Sequence, residues 1–64
     1  MISLLKGNVL EIGARFVVID VNDIGYKVFV TDDTLHSIKI NSEMTIWTHL
    51  AVRENSQDLY GFTT

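Results

Sequence analysis

The sequence has 64 residues, 47% of them hydrophobic, no cysteine, and a formal charge of −3 from five Lys/Arg against eight Asp/Glu. That length gives one small domain, which buries only about 60% of its unfolded surface, and the composition argues against disorder. Without cysteine there is no disulfide or thiolate-metal staple, and an acidic chain lacks the Lys/Arg excess that displaces counterions from duplex phosphates.

Most of the chain reads as short strands separated by turn signals. The first strand is expected over Ile2 to Val9, with Ile2 and Leu4 on one face and Gly7 marking a bulge or barrel bend. Glu11-Ile12-Gly13-Ala14 supplies a turn, and the second strand follows over Arg15 to Val21. Its run Phe16-Val17-Val18-Ile19 is apolar on both faces, which predicts a central strand. Asn22-Asp23 tolerates positive φ and marks a tight turn. The third strand spans Gly25 to Val30, with Tyr26, Val28 and Val30 on one face and Gly25 serving the turn that enters it.

The period then changes. Thr31 to Ile38 predicts a short helix, with Thr31 as N-cap and Asp32 and Asp33 facing the positive end of the helix dipole. Leu35 and Ile38, three apart, would close one end of a sheet core. Lys39 to Glu43 is a loop. Met44 to Val52 is the fourth strand, with Met44, Ile46, Leu50 and Val52 on one face and Trp47, His49 and Ala51 on the other. Gln57 to Phe62 is the fifth, joined to the fourth through a polar tip. Three strands, a helix and two strands suit an all-β, five-stranded Greek-key barrel of the OB type, with the helix plugging one end. An SH3-like barrel is the rival, but it carries no helix at that point. No internal repeat, low-complexity tract or linker interrupts residues 1–64, so one OB-fold domain is expected.

Candidate chemistry is sparse. His36 falls in the helix and reads as a surface residue; His49 lies beside Trp47 and reads as a partly buried packing residue. No Ser or Thr is placed by a motif next to either, so catalytic residues: none. Two histidines without cysteine do not form a closed zinc site, and Asp32-Asp33 lacks the twelve-residue loop of an EF-hand, so metal ligands: none. The four glycines are too far apart for a phosphate loop, and no cofactor is expected. The longest apolar run, Phe16 to Ile19, is far short of the roughly 18 residues of a spanning helix, and the N-terminus lacks an export pattern, so no membrane partner is expected.

Six aromatics are available to a base-stacking OB surface: Phe16, Tyr26, Phe29, Trp47, Tyr60 and Phe62. Most fall in apolar alternation and read as core or interface. Trp47 and Phe29 face away from the apolar stripes and are candidates for an exposed patch, as a subunit contact or a stacking platform. The acidic charge favours the subunit contact. Arg53-Glu54-Asn55-Ser56, between the last two strands, is by composition an ordinary charged hairpin tip.

The residues Met1-Ile2, Lys6-Gly7, Val21, Gly25-Tyr26, Val28, Thr48-His49, Val52-Arg53-Glu54 and Leu59-Tyr60-Gly61-Phe62, in that order and spacing, resemble the N-terminal domain of the RuvA family across nearly the whole chain. The resemblance implies an OB barrel at the start of a three-domain bacterial, cytoplasmic protein. The second domain would carry helix-hairpin-helix motifs that grip DNA, and the third would recruit the RuvB motor ATPase. The family's homotetramer holds a four-way Holliday junction for branch migration in DNA recombination and repair (part of the SOS response), and RuvA itself is not an enzyme. A hairpin with two adjacent carboxylates, an acidic pin, projects into the junction centre. By this resemblance the pin falls on Glu54 and Asn55; Glu54 matches and Asn55 departs, leaving one charge. Arg53 is then a phosphate contact or a support for the pin, and Asp58 a compensating charge. Tyr60, Gly61 and Phe62 are expected to be structural. This fragment alone is expected to bind junction DNA weakly or not at all. An autonomous single-stranded nucleic-acid module and a protein-interaction barrel remain as alternatives.

Overall fold

The computed structural model describes residues 3–63, and of Arg53 the backbone alone. The expectations placed on Met1 and Ile2, and on the Arg53 side chain, lie outside the described residues.

Five strands and one helix follow in order: β1 (Leu4–Ile12), β2 (Phe16–Val21), β3 (Ile24–Phe29), α1 (Asp32–His36), β4 (Glu43–Arg53) and β5 (Ser56–Phe62). They close a barrel in the order β1-β2-β3-β5-β4, with β4 returning to β1. Neighbours are antiparallel except β3 and β5, which pair in parallel at Val28–Leu59 and Phe29–Tyr60. With α1 between β3 and β4, this is the five-stranded OB barrel.

Strand alternation builds the core. Val17 and Ile19 of β2, Val28 of β3, Val9 of β1 and Ile46 of β4 are fully buried, and Leu5 and Val30 nearly so. The outward partners on β2 are half-buried, and β1 and β3 flank that strand as its apolar run predicts. Asn22 and Asp23 take φ of 53° and 68° between the paired Val21 and Ile24. That is the type I′ geometry whose twist matches a hairpin. The turn's conformational demand therefore falls on these two residues and not on Gly25, whose φ is not positive.

The helix begins as its sequence predicts. The Thr31 hydroxyl oxygen accepts a hydrogen bond from Thr34 N at 3.3 Å, and Asp32 and Asp33 occupy the first turn. At five residues α1 is too short to be stable by itself. Leu35 and Ile38, both packed on the core cluster, hold it against the barrel end.

The first strand departs from expectation. It runs past Val9 to Ile12, so the expected turn at 11–14 starts at Gly13 instead. The reason is a bulge: Val9 pairs with Ile19 and Glu11 with Val18, leaving Leu10 over. Val9-Leu10-Glu11-Ile12 breaks alternation in sequence, and the extra residue restores Ile12 to the inner side opposite Val17. No register break occurs at Gly7, which pairs with Met44. Gly7 stands where β1 passes from β4 to β2, and a Cβ there would lie 2.1 Å from the Asp20 carbonyl oxygen. The glycine serves close backbone approach.

Candidate functional site

The β4–β5 hairpin carries the polar tip. Its ladder continues from Trp47–Phe62 through Leu50–Leu59 to Ala51–Asp58, Val52–Gln57 and Arg53–Ser56. Among the described residues the pairing of β5 with β3 ends at Val28–Leu59, and that of β1 with β4 at Leu4–Trp47 and the bond from Thr48 N to Ser3 O. Three rungs, Ala51–Asp58 to Arg53–Ser56, therefore form the outer end of the hairpin, and Tyr26 and Lys27 of β3 line a shallow pocket with Gln57 and Asp58 at its base. Half-buried Leu50 and Leu59 root the hairpin, while Val52 is 66% exposed.

Glu54 and Asn55 form the two-residue tip and are both exposed. Among the described side chains no cation pairs with Glu54; the ion pair present, Lys6–Glu43 at 3.9 Å, lies on the barrel wall. Asp58 is half-buried near the ribbon's base, across from Ala51. The tip is thus an exposed negative charge, acting over a Debye length of about 8 Å at physiological salt.

The second exposed feature is a band on the barrel's outer wall. Phe29 meets Tyr60 with ring centroids 5.7 Å apart and Phe16 edge-on at 6.4 Å. The Lys27 ammonium lies 4.5 Å from the Phe16 ring centre and 5.2 Å from that of Phe29. Through β5 the band continues to Phe62, which pairs with Trp47; both are 49% exposed, and Leu4 beside Trp47 is also exposed. Where it meets the start of α1 it opens into a groove of about 580 Å³, with Arg15 and Asp32 among its walls.

Trp47 and Phe29, expected from the sequence to be exposed, border one surface, Trp47 exposed and Phe29 half-buried under Tyr60 and Lys27. Tyr60 and Phe62 join them on the outer wall and not in the core, Tyr60 packing on Phe29. The signal was available: Leu59 and Gly61 point inward, so 58, 60 and 62 must point out. Of the expected structural trio only Gly61 is internal. A Cβ on it would come 2.5 Å from Ile46 Cδ1 and 2.6 Å from Val28 Cγ1, so crowding by these two side chains, not backbone approach, requires glycine. His49 also differs from expectation: it is exposed, because Tyr60 opposite it lies on the outer wall. His36 is exposed on α1. Among the described residues no three His, Asp or Glu side chains converge on a metal-sized point. Of the described basic side chains, Lys27 on β3 and Arg15 in the turn before β2 border the aromatic band, while Lys6 on β1 and Lys39 after α1 lie apart from it. Among the described residues no helix is long and apolar enough to cross a membrane.

The family model of the RuvA N terminal domain matches residues 1–61. A protein of Francisella tularensis subsp. novicida (strain U112), named Holliday junction branch migration complex subunit RuvA, is 46% identical over 63 residues. That match covers 97% of this chain and 29% of the relative. A protein of the same name from Acinetobacter baumannii (strain ATCC 17978) is 40% identical over 63 residues, covering 98% of this chain and 32% of the relative. The chain spans about 30% of the length of these curated relatives. With an OB barrel and a match that runs from residue 1 to 61, the chain belongs to the RuvA N-terminal domain family.

Proposed function

We propose that this domain serves, without catalysis, as the junction-facing part of a Holliday junction-binding protein, with Glu54 as the pin at the junction centre. The supporting observation is the exposed Glu54 at the apex of the β4–β5 hairpin. A carboxylate there repels phosphates, disfavours collapse of DNA into the centre, and keeps separating strands apart. Asn55 adds a polar neighbour and no charge. Arg53 contacts phosphate or steadies the pin. Family membership favours this reading over a self-sufficient single-strand binder or a protein-interaction barrel.

The length of the relatives supports a wider setting. The domain opens a three-domain protein of the bacterial cytoplasm, working in DNA recombination and repair. Later domains grip the DNA and engage a RuvB-type motor ATPase, while the exposed band that includes Trp47 and Phe29 contributes to a homotetramer. The barrel alone, acidic overall, holds a junction weakly or not at all.

The test is Glu54→Gln in the full-length protein. Junction affinity in a gel shift is expected to be equal or higher, while strand separation during branch migration is altered. Unchanged strand processing removes the pin role.

A further inference from the structure

We infer that Asn55 is a site of spontaneous deamidation, by which the folded protein acquires a second carboxylate beside Glu54. The inference rests on the tip's geometry alone, so its failure leaves the proposed role of Glu54 untouched, and the reverse also holds.

Four asparagines occur, and two of them, Asn41 and Asn55, precede a serine. A small following residue leaves its backbone nitrogen open to approach by the asparagine side chain. The fold treats these two Asn-Ser pairs differently. Asn41 N donates to Val9 O at 2.8 Å, Val9 N donates to Ser42 O at 2.9 Å, and Ser42 N donates to Lys39 O at 3.3 Å. The attacking nitrogen and the peptides on both sides of Asn41 are therefore held. Asn55 sits in an exposed two-residue turn, and Ser56, paired with Arg53, forms the last rung of the ladder. End rungs open most readily. The other two sites are less suited because larger residues follow them: Asn8, paired with both β2 and β4, precedes the β-branched Val9, and Asn22 precedes Asp23.

The chemistry needs no cofactor. The Ser56 backbone nitrogen gives up its proton and attacks Cγ of Asn55. The bond from Cγ to the amide nitrogen Nδ2 breaks, ammonia leaves carrying that proton, and a five-membered succinimide remains. Water then adds to one of the two imide carbonyls. Opening on one side gives an aspartate at position 55 with the backbone as before. Opening on the other gives isoaspartate, whose backbone runs through the former side group. Either product places a carboxylate next to Glu54 and doubles the tip's negative charge.

The experiment incubates the intact folded protein at neutral to mildly alkaline pH and maps peptides by mass. Each backbone bond at Asn41 must open before reaction, so conversion at Asn55 is expected to run on the order of tenfold ahead of Asn41. In urea the two sites should convert at similar rates, since both precede serine. Ser56→Ile, which crowds the attacking nitrogen, should slow Asn55 and leave Asn41 unchanged. Equal protection of the two sites in the folded protein, or an Asn55 rate indifferent to residue 56, overturns the inference.

Discussion

The barrel interior and the β4–β5 ribbon are made of the same strand geometry and answer to different forces. Inside, Val17, Ile19, Val28 and Ile46 lose all contact with water, and a β-carbon at Gly61 would collide with its neighbours. On the ribbon, Val52, Glu54, Asn55 and Gln57 remain exposed, and a two-stranded hairpin of this length has little stability of its own. Stability therefore resides in the barrel, while Glu54 stands exposed at the hairpin tip. The separation lets the tip vary without endangering the fold.

Four substitutions sharpen or break that contrast. A domain of this size is stabilised by roughly 3–10 kcal/mol. Ile46→Ala removes a fully buried side chain and should cost about 2–5 kcal/mol, enough to unfold much of the population in a urea or thermal melt. A near-normal melt would mean that the core is not where the stability lies. Gly61→Ala should cost about 1–3 kcal/mol, because the added methyl must displace Ile46 and Val28, and the melting midpoint reads the loss. Thr31→Ala removes the N-cap oxygen at the barrel end and should cost about 0.5–1 kcal/mol by the same measurement. Glu54→Gln should move the melt by less than about 0.5 kcal/mol. A larger shift there would tie tip and barrel together and end the comparison.

Much of this was legible in the sequence because the barrel follows the strand period. Val28 and Val30, Ile46 and Leu50, and the Thr31 cap all lie where alternation and capping rules put them. Two kinds of feature were not. The bulge at Leu10 hides the last residues of β1, since one extra residue inverts the inside–outside pattern that identifies a strand. The outer band was read as Trp47 and Phe29, without Tyr60 and Phe62. Aromatic alternation alone does not tell which face of a strand is inner; the neighbouring Gly61 carried that information. The tip was legible as a polar turn, but the parting of β3 from β5 beyond Val28–Leu59 was not, because it is a property of pairing between distant segments.

The parallel seam between β3 and β5 bears on how the finger responds to load. On one side β5 is held along its whole length, from Phe62 to Ser56, by β4. On the other, among the described residues, it meets β3 at two positions, Val28–Leu59 and Phe29–Tyr60. Beyond Leu59 the described ladder that holds β5 is the one to β4, and β4 is in turn laddered to β1 from Trp47 to Glu43, so load on the apex enters the body through β4.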